Sequence, residues 1–164
     1  ILERINKPLM RNEGITPKEL TKNIYEISGK KVGIIKEGSL LKEATEELEK
    51  IINKELETLC ITSTKSKELN DEWIKAIELR NILTCLYLSA KSSLIREESR
   101  GEFYRRDYTH TDHDNWLKNI VMKQKNGELD IKFEKPVVTK ISLPKGKLTY
   151  QEAIGVATAS LKRG

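Results

Sequence analysis

The residues best equipped for chemistry lie between Arg100 and Asp114. Thr109-His110-Thr111-Asp112-His113-Asp114 holds both histidines of the chain, interleaved with two carboxylates. Two imidazoles and two carboxylates could gather on a metal ion. With no further clustered ligand elsewhere, the pattern fits a polar loop better, Asp112 or Asp114 capping the turn ahead of Trp116. His113 could act as a general base only beside a substrate pocket, and nothing marks one. Arg100, Arg105 and Arg106 follow the end of a long helical pattern, where cations suit the helix dipole and can bond the last carbonyls. Arg100, Gly101, Arg105 and Asp107 could instead form an interdomain clasp, since guanidinium groups favour planar, bidentate contacts.

Phosphate-cradling chemistry is missing. None of the nine glycines has another two positions away, so there is no G-x-G-x-x-G. Gly29-Lys30 and Gly146-Lys147 run into Lys31 and Leu148, not into the Ser or Thr of a Walker loop. A Rossmann-type unit cannot hold FAD within this sequence. No catalytic, cofactor-binding or metal-binding residue is assigned. Cys60 and Cys85 are isolated on helical patterns and read as small core hydrophobes in a reducing cytoplasm, not as a disulfide or zinc site.

The elements that must position these residues are mostly helical. Thr16-Pro17-Lys18-Glu19 predicts a capped helix start, with Leu20, Ile24 and Ile27 behind it and Ser28-Gly29 as its stop. Val32 to Lys36 reads as an apolar connector. Ser39 caps a second helix, whose Leu41, Ala44, Leu48, Ile51, Ile52, Leu56 and Leu59 make one apolar face. After a polar linker from Thr62 to Lys67, Asn70 or Asp71 caps a helix running to about Glu98, roughly 40 Å long. Its inward set is Trp73, Ile77, Leu79, Ile82, Leu83, Leu86, Tyr87, Ala90 and Leu94, and Gly101 follows as a left-handed C-cap. Beyond Asp114 the period changes to two, and Asn126-Gly127 between alternating runs predicts a β-hairpin. Pro136 ends the second strand, 140–144 reads as extended, and Thr149 or Tyr150 opens a last amphipathic helix with Ala153, Ile154, Ala157 and Leu161. The expected fold is mainly α: an antiparallel, spectrin-repeat-like three-helix bundle followed by a C-terminal β-hairpin extension. Its divisions are 1–110 for the bundle with a helical lead-in, 111–150 for the loop and hairpin of the same domain, and 151–164 for a helical tail.

Composition narrows the class. The chain has 164 residues, 37% hydrophobic and 34% charged, with a net charge of +5. That is globular and on the polar side of average. The longest apolar stretch, 82–90, is broken by Thr84 and Ser89, too short to insert in a membrane. Lys and Arg are interleaved with Glu along the whole chain, which suits solvated helix faces with i,i+4 ion pairs better than a phosphate-binding stripe, so no nucleic acid is expected. No signal peptide opens the chain. It begins at Ile1, inside a helical pattern and without Met, as a trimmed chain or a C-terminal fragment would.

Glu98-Ser99-Arg100-Gly101, followed by Arg105 and Asp107, resembles the C-terminal segment of succinate dehydrogenase and fumarate reductase flavoprotein subunits. Val32-Gly33-Ile34-Ile35-Lys36, Ser39-Leu40, Glu78 with Arg80-Asn81, Trp116-Leu117-Lys118, the Asn126-Gly127 hairpin, Pro136-Val137 and Thr139 follow that family's order. The resemblance covers about 15–150. Phe103 and Asn119 stand where the family commonly has His, and the segment from Gln151 onward has no counterpart. The resemblance implies a parent enzyme passing hydride between a dicarboxylate and FAD, and electrons onward to an iron–sulfur subunit. It implies a non-catalytic domain packed against the FAD-binding domain of the same chain, because the family's catalytic Arg and His match no position here. The setting implied is cytoplasmic, with the parent attached to the inner face of the membrane through other subunits. L-aspartate oxidase and adenylylsulfate reductase share much of the loop and remain alternatives, as does a basic helical adaptor for nucleic acid or protein.

Overall fold

The computed structural model describes residues 2–63, 65–139 and 144–161. About half of the chain is helical, and the described strands make three two-stranded sheets. Two compact units separate: Ile1–Gly33 with Ser39–Lys91, and Ile34–Gly38 with Ser92–Gly164. Among the described residues no helix is long and apolar enough to cross a membrane.

The first unit is built on helices α1 (Leu2–Met10), α2 (Pro17–Lys31), α3 (Gly38–Lys50) and α4 (Asp71–Ile95), the last two reaching past its limits. Thr16 and Glu19 form the full capping box expected at the start of α2, which settles two amide donors that the first turn leaves without helical partners. Ser28-Gly29 does not stop this helix; it continues to Lys31, whose ammonium lies 3.0 Å from Glu43 and 2.7 Å from Glu47. Helix α3 begins at Gly38, one residue before the Ser39 expected as its cap. It unwinds into a π-helical turn, Ile51–Glu55, and a 3-10 turn, Leu56–Thr58. Asn70 Oδ1 caps α4 by accepting the Trp73 N–H at 2.9 Å.

Leu20, Ile24 and Ile27 of α2, Ala44 and Leu48 of α3, Ile51 and Leu56 of its continuation, and Ala76, Leu79, Leu83 and Ala90 of α4 share one buried cluster. Their three- and four-residue spacing is what turns them to a common side. Two expected core positions of α4 are exposed. Ile82 is 48% exposed and Cys85 is exposed, because the inward arc of α4 is narrower than its apolar content suggests. Cys60 is buried, with its thiol 3.3 Å from the Gly14 carbonyl. Among the described ion pairs only Lys30–Glu26 has the i,i+4 spacing; most of the others in this unit join different elements. Tyr87 donates to Glu49, and burial, then that carboxylate, push its hydroxyl up to about 12.

In the second unit, β1 (Ile35–Lys36) pairs in parallel with β2 (Tyr104–Arg105). The apolar run 32–36 reads as a connector because its partner strand is nearly seventy positions away. Antiparallel pairs join β3 (His110–Asp112) to β6 (Lys147–Thr149), and β4 (Asn119–Lys125) to β5 (Glu128–Glu134). Asn126 and Gly127 both have positive φ, 52° and 88°, the turn geometry that Asn-Gly favours. Helix α5 (Tyr150–Leu161) opens on a reciprocal pair of Thr149–Glu152 bonds. Ile154 is 44% exposed there, while 140–143 of the extended run expected at 140–144 and the side chains of Ala157 and Leu161 lie outside the described residues.

Candidate functional site

Chemistry-bearing side chains concentrate where α4 ends. The helix stops at Ile95, earlier than the Glu98 expected, and 96–100 run non-helically. In such a segment alternate side chains share a side. Arg96 and Arg100 therefore both reach Glu98, which is fully buried. Arg96 Nη1 and Arg100 Nε donate to one Glu98 oxygen. Arg100 Nη2, at 2.8 Å, and the Asp112 amide, at 3.0 Å, donate to the other. A buried carboxylate is tolerable only when paired and saturated in this way.

Arg105 is the second anchor and is 2% exposed. Its Nη1 donates to the carbonyls of Ser93 (2.6 Å), Leu94 (3.2 Å) and Arg96 (3.1 Å), the acceptors left open by the end of α4. Its Nε and Nη2 form a bidentate pair with Asp107 at 2.7 and 2.6 Å. That guanidinium, against the upward pull of partial burial, holds the Asp107 carboxyl below its ordinary range. Asp107 also accepts the Gly38 N–H at 3.1 Å. A Cβ on Gly38 would stand 2.6 Å from Asp107 Oδ2 and 2.9 Å from Arg105 Nη2, so only glycine lets the chain approach this closely.

Ser99 ties the two anchors together. Its hydroxyl accepts the Arg105 N–H at 2.8 Å and donates to the Tyr108 carbonyl at 2.7 Å, while its own carbonyl accepts the Thr111 hydroxyl. Gly101, φ +58°, does not cap the helix. It takes the left-handed position in a tight turn closed by the reciprocal Arg100–Phe103 backbone bonds.

The histidine segment divides. His110 is exposed, while His113 Nδ1 lies 3.3 Å from Arg100 Nη1. Burial, then the Arg100 charge, lower the His113 pKa. Asp112 caps the following turn, accepting the amides of Asp114 (3.1 Å) and Asn115 (2.9 Å), and Lys147 stands 3.2 Å from it. Burial pulls the Asp112 pKa upward, but the Asn115 bonds and Lys147 outweigh that pull and hold it at about 2. Among the described residues no three His, Cys, Asp or Glu side chains could together hold a metal ion.

Of the four residues given to an interdomain clasp by sequence, Arg105 and Asp107 are engaged with their own unit, and Arg100 keeps 30% of its side chain exposed. Glu98, Ser99, Arg96 and Gly38 were not singled out as site residues. The alternation Arg96-x-Glu98-x-Arg100 is a legible signal for the first cluster. No local signal marks Gly38, whose role depends on a residue 69 positions away. Geometrically the cluster is an electrostatic framework in which both oxygens of Glu98 accept hydrogen bonds.

Known proteins place this framework. The family profile described as fumarate reductase flavoprotein C-term matches 21–150. The chain belongs to this C-terminal domain family of succinate dehydrogenase and fumarate reductase flavoproteins. It is 34% identical over 120 residues to the succinate dehydrogenase flavoprotein subunit of Coxiella burnetii, covering 73% of this chain and 20% of that protein. With the fumarate reductase flavoprotein subunit of Helicobacter pylori it shares 30% identity over 141 residues, covering 82% and 19%. The chain thus spans about a fifth of these relatives' length. In fold it matches the quinol fumarate reductase of E. coli with a TM-score of 0.77 at 22% identity, over 88% of this chain and 25% of that one. An L-aspartate oxidase of Nicotiana tabacum also matches, at 28% identity over 71% of this chain and 17% of that protein.

Proposed function

We propose that this chain is the non-catalytic C-terminal domain of an FAD-dependent oxidoreductase that interconverts succinate and fumarate. The carrying observation is the Glu98–Arg100 and Arg105–Asp107 framework, which lies inside the matched region and whose Glu98 and Arg105 are buried and bonded to the chain's own groups. A site of this kind shapes a surface and transfers nothing. In this reading α2, α3 and α4 form the three-helix bundle and β4–β5 its extension. The Arg100–Gly101 turn faces the FAD-binding domain of the same polypeptide, with Arg105 and Asp107 setting its shape from behind. An iron–sulfur subunit is the further partner, and other subunits attach the assembly to the inner face of the membrane. The higher identity to succinate and fumarate enzymes than to the L-aspartate oxidase favours the former.

The test is to express the full-length polypeptide and, separately, residues 1–164. Flavin absorbance and succinate–fumarate turnover should belong to the full-length protein alone. Stoichiometric flavin retained by 1–164 after gel filtration would overturn the non-catalytic assignment. L-aspartate oxidation by the full-length protein without succinate oxidation would reassign the parent.

A further inference from the structure

Next to the Glu98 cluster, within the second unit, lies a cleft of about 620 Å³ whose walls include Arg96, Arg100, Lys118, Phe103, Trp116 and Ile120. No carboxylate lines it among the described residues. Glu98 sits behind Arg96 and Arg100, fully buried, and balances one of their two charges. Lys118 carries its ammonium 4.3 Å from the ring centroids of both Trp116 and Phe133, and no carboxylate among the described residues lies within ion-pair distance of it. A lysine held against two ring faces is positioned without having its donors consumed. Among the described residues the cleft therefore carries more positive charge than Glu98 balances.

Its other character is apolar. Phe103, Trp116 and Ile120 continue into one face of the β4–β5 hairpin, where Ile120 pairs with Phe133 and Met122 with Ile131. None of these four hairpin side chains is buried, and Phe133 is 49% exposed. The hairpin forms a sheet of its own, and an isolated two-stranded sheet gains stability when its apolar face is covered. One surface thus calls for carboxylates and for apolar cover side by side. A free small anion satisfies only the first demand, and a nucleic-acid backbone leaves the apolar half unmatched.

We propose that this cleft and the adjoining hairpin face dock an acidic peptide segment of a partner polypeptide. Its carboxylates meet Lys118 and the exposed edge of Arg100, and its aliphatic side chains lie on Trp116, Ile120 and Phe133. The proposal extends the reading of this domain as one part of a larger assembly, and it names the chemistry of the contact.

The experiment uses the full-length polypeptide and a fluorescent short peptide alternating Glu and Leu, with a Lys/Leu peptide as its opposite. Anisotropy should show binding of the acidic peptide only, weakening as salt is added. Lys118→Glu should reduce the affinity roughly tenfold or more. Met122→Glu, which adds a negative charge to the docking face of β4 without altering Lys118, should act in the same direction. Lys123→Glu, on the opposite side of β4, should leave binding unchanged. Hydrogen exchange at the β4–β5 amides should slow when the acidic peptide is present. Equal losses for Lys118→Glu and Lys123→Glu would reveal diffuse attraction and overturn the proposal. So would absent binding, equal binding of the basic peptide, or displacement by free glutamate at comparable concentration. Flavin content and succinate turnover of the same preparation are read separately. Their absence in the wild type would defeat the flavoprotein reading while leaving the peptide result to stand or fall alone.

Discussion

Replacing Arg105 with Met removes the guanidinium while keeping an apolar stem of similar reach. Three carbonyl oxygens at the end of α4 then lose a charged donor, and Asp107 loses its bidentate partner. Hydrogen bonds to charged groups contribute about 1.5–3 kcal/mol each, and breaking one half of a buried pair costs about 3–5 kcal/mol. Those figures do not add, because one group supplies all the bonds. Asp107 is 34% exposed and keeps the Gly38 amide, so water recovers part of its loss. The net expectation is about 3–5 kcal/mol, with Arg105→Lys at roughly half that, since an ammonium keeps the charge but cannot span both groups. Urea unfolding in a Trp73→Phe background makes Trp116 the reporter and so follows the second unit. At a slope of about 2 kcal/mol/M the Met variant's midpoint should fall by about 2 M. A midpoint equal to wild type would refute the reasoning, showing that the Arg105 bonds merely replace equally good bonds to water.

Gly38→Ala drives a methyl group into the Arg105–Asp107 pair and should destabilise by about 1–3 kcal/mol. That loss should shrink but persist in an Arg105→Met background, where Asp107 Oδ2, the nearer atom, remains, and a double-mutant cycle measures the change. Leu83→Ala should cost about 2–5 kcal/mol in urea unfolding, because Leu83 is fully buried, while Leu86→Ala, half-buried, should cost less. Asp112 has a folded pKa of about 2, below its ordinary 3.8, so its charged form stabilises the fold above about pH 4 and that stabilisation fades as pH falls toward 2. Wild type should exceed Asp112→Asn in stability by up to about 2 kcal/mol at neutral pH, and the difference should vanish near pH 2; a difference independent of pH would locate the effect elsewhere.

Much of this protein is written in local chemistry. The Thr16–Glu19 box, the Asn70 cap, the Asn126-Gly127 turn and the three- and four-residue spacing of Leu79 and Leu83 need only near neighbours to act, so they are legible one segment at a time. The family resemblance is legible too, because the Glu98–Asp107 spacing is a linear pattern. The tertiary structure decided everything that depends on distant partners. Ile35 becomes a strand only because Tyr104 lies beside it, and Gly38 must be glycine only because Asp107 and Arg105 fold against it. Arg105 reads from sequence as a helix cap or as part of an interdomain clasp, and only the fold puts its donors on the carbonyls at the end of α4. Ile82 and Cys85 read as core from hydrophobicity alone, yet the width of a helix's buried face is set by the neighbours that cover it, and sequence periodicity carries no record of those neighbours.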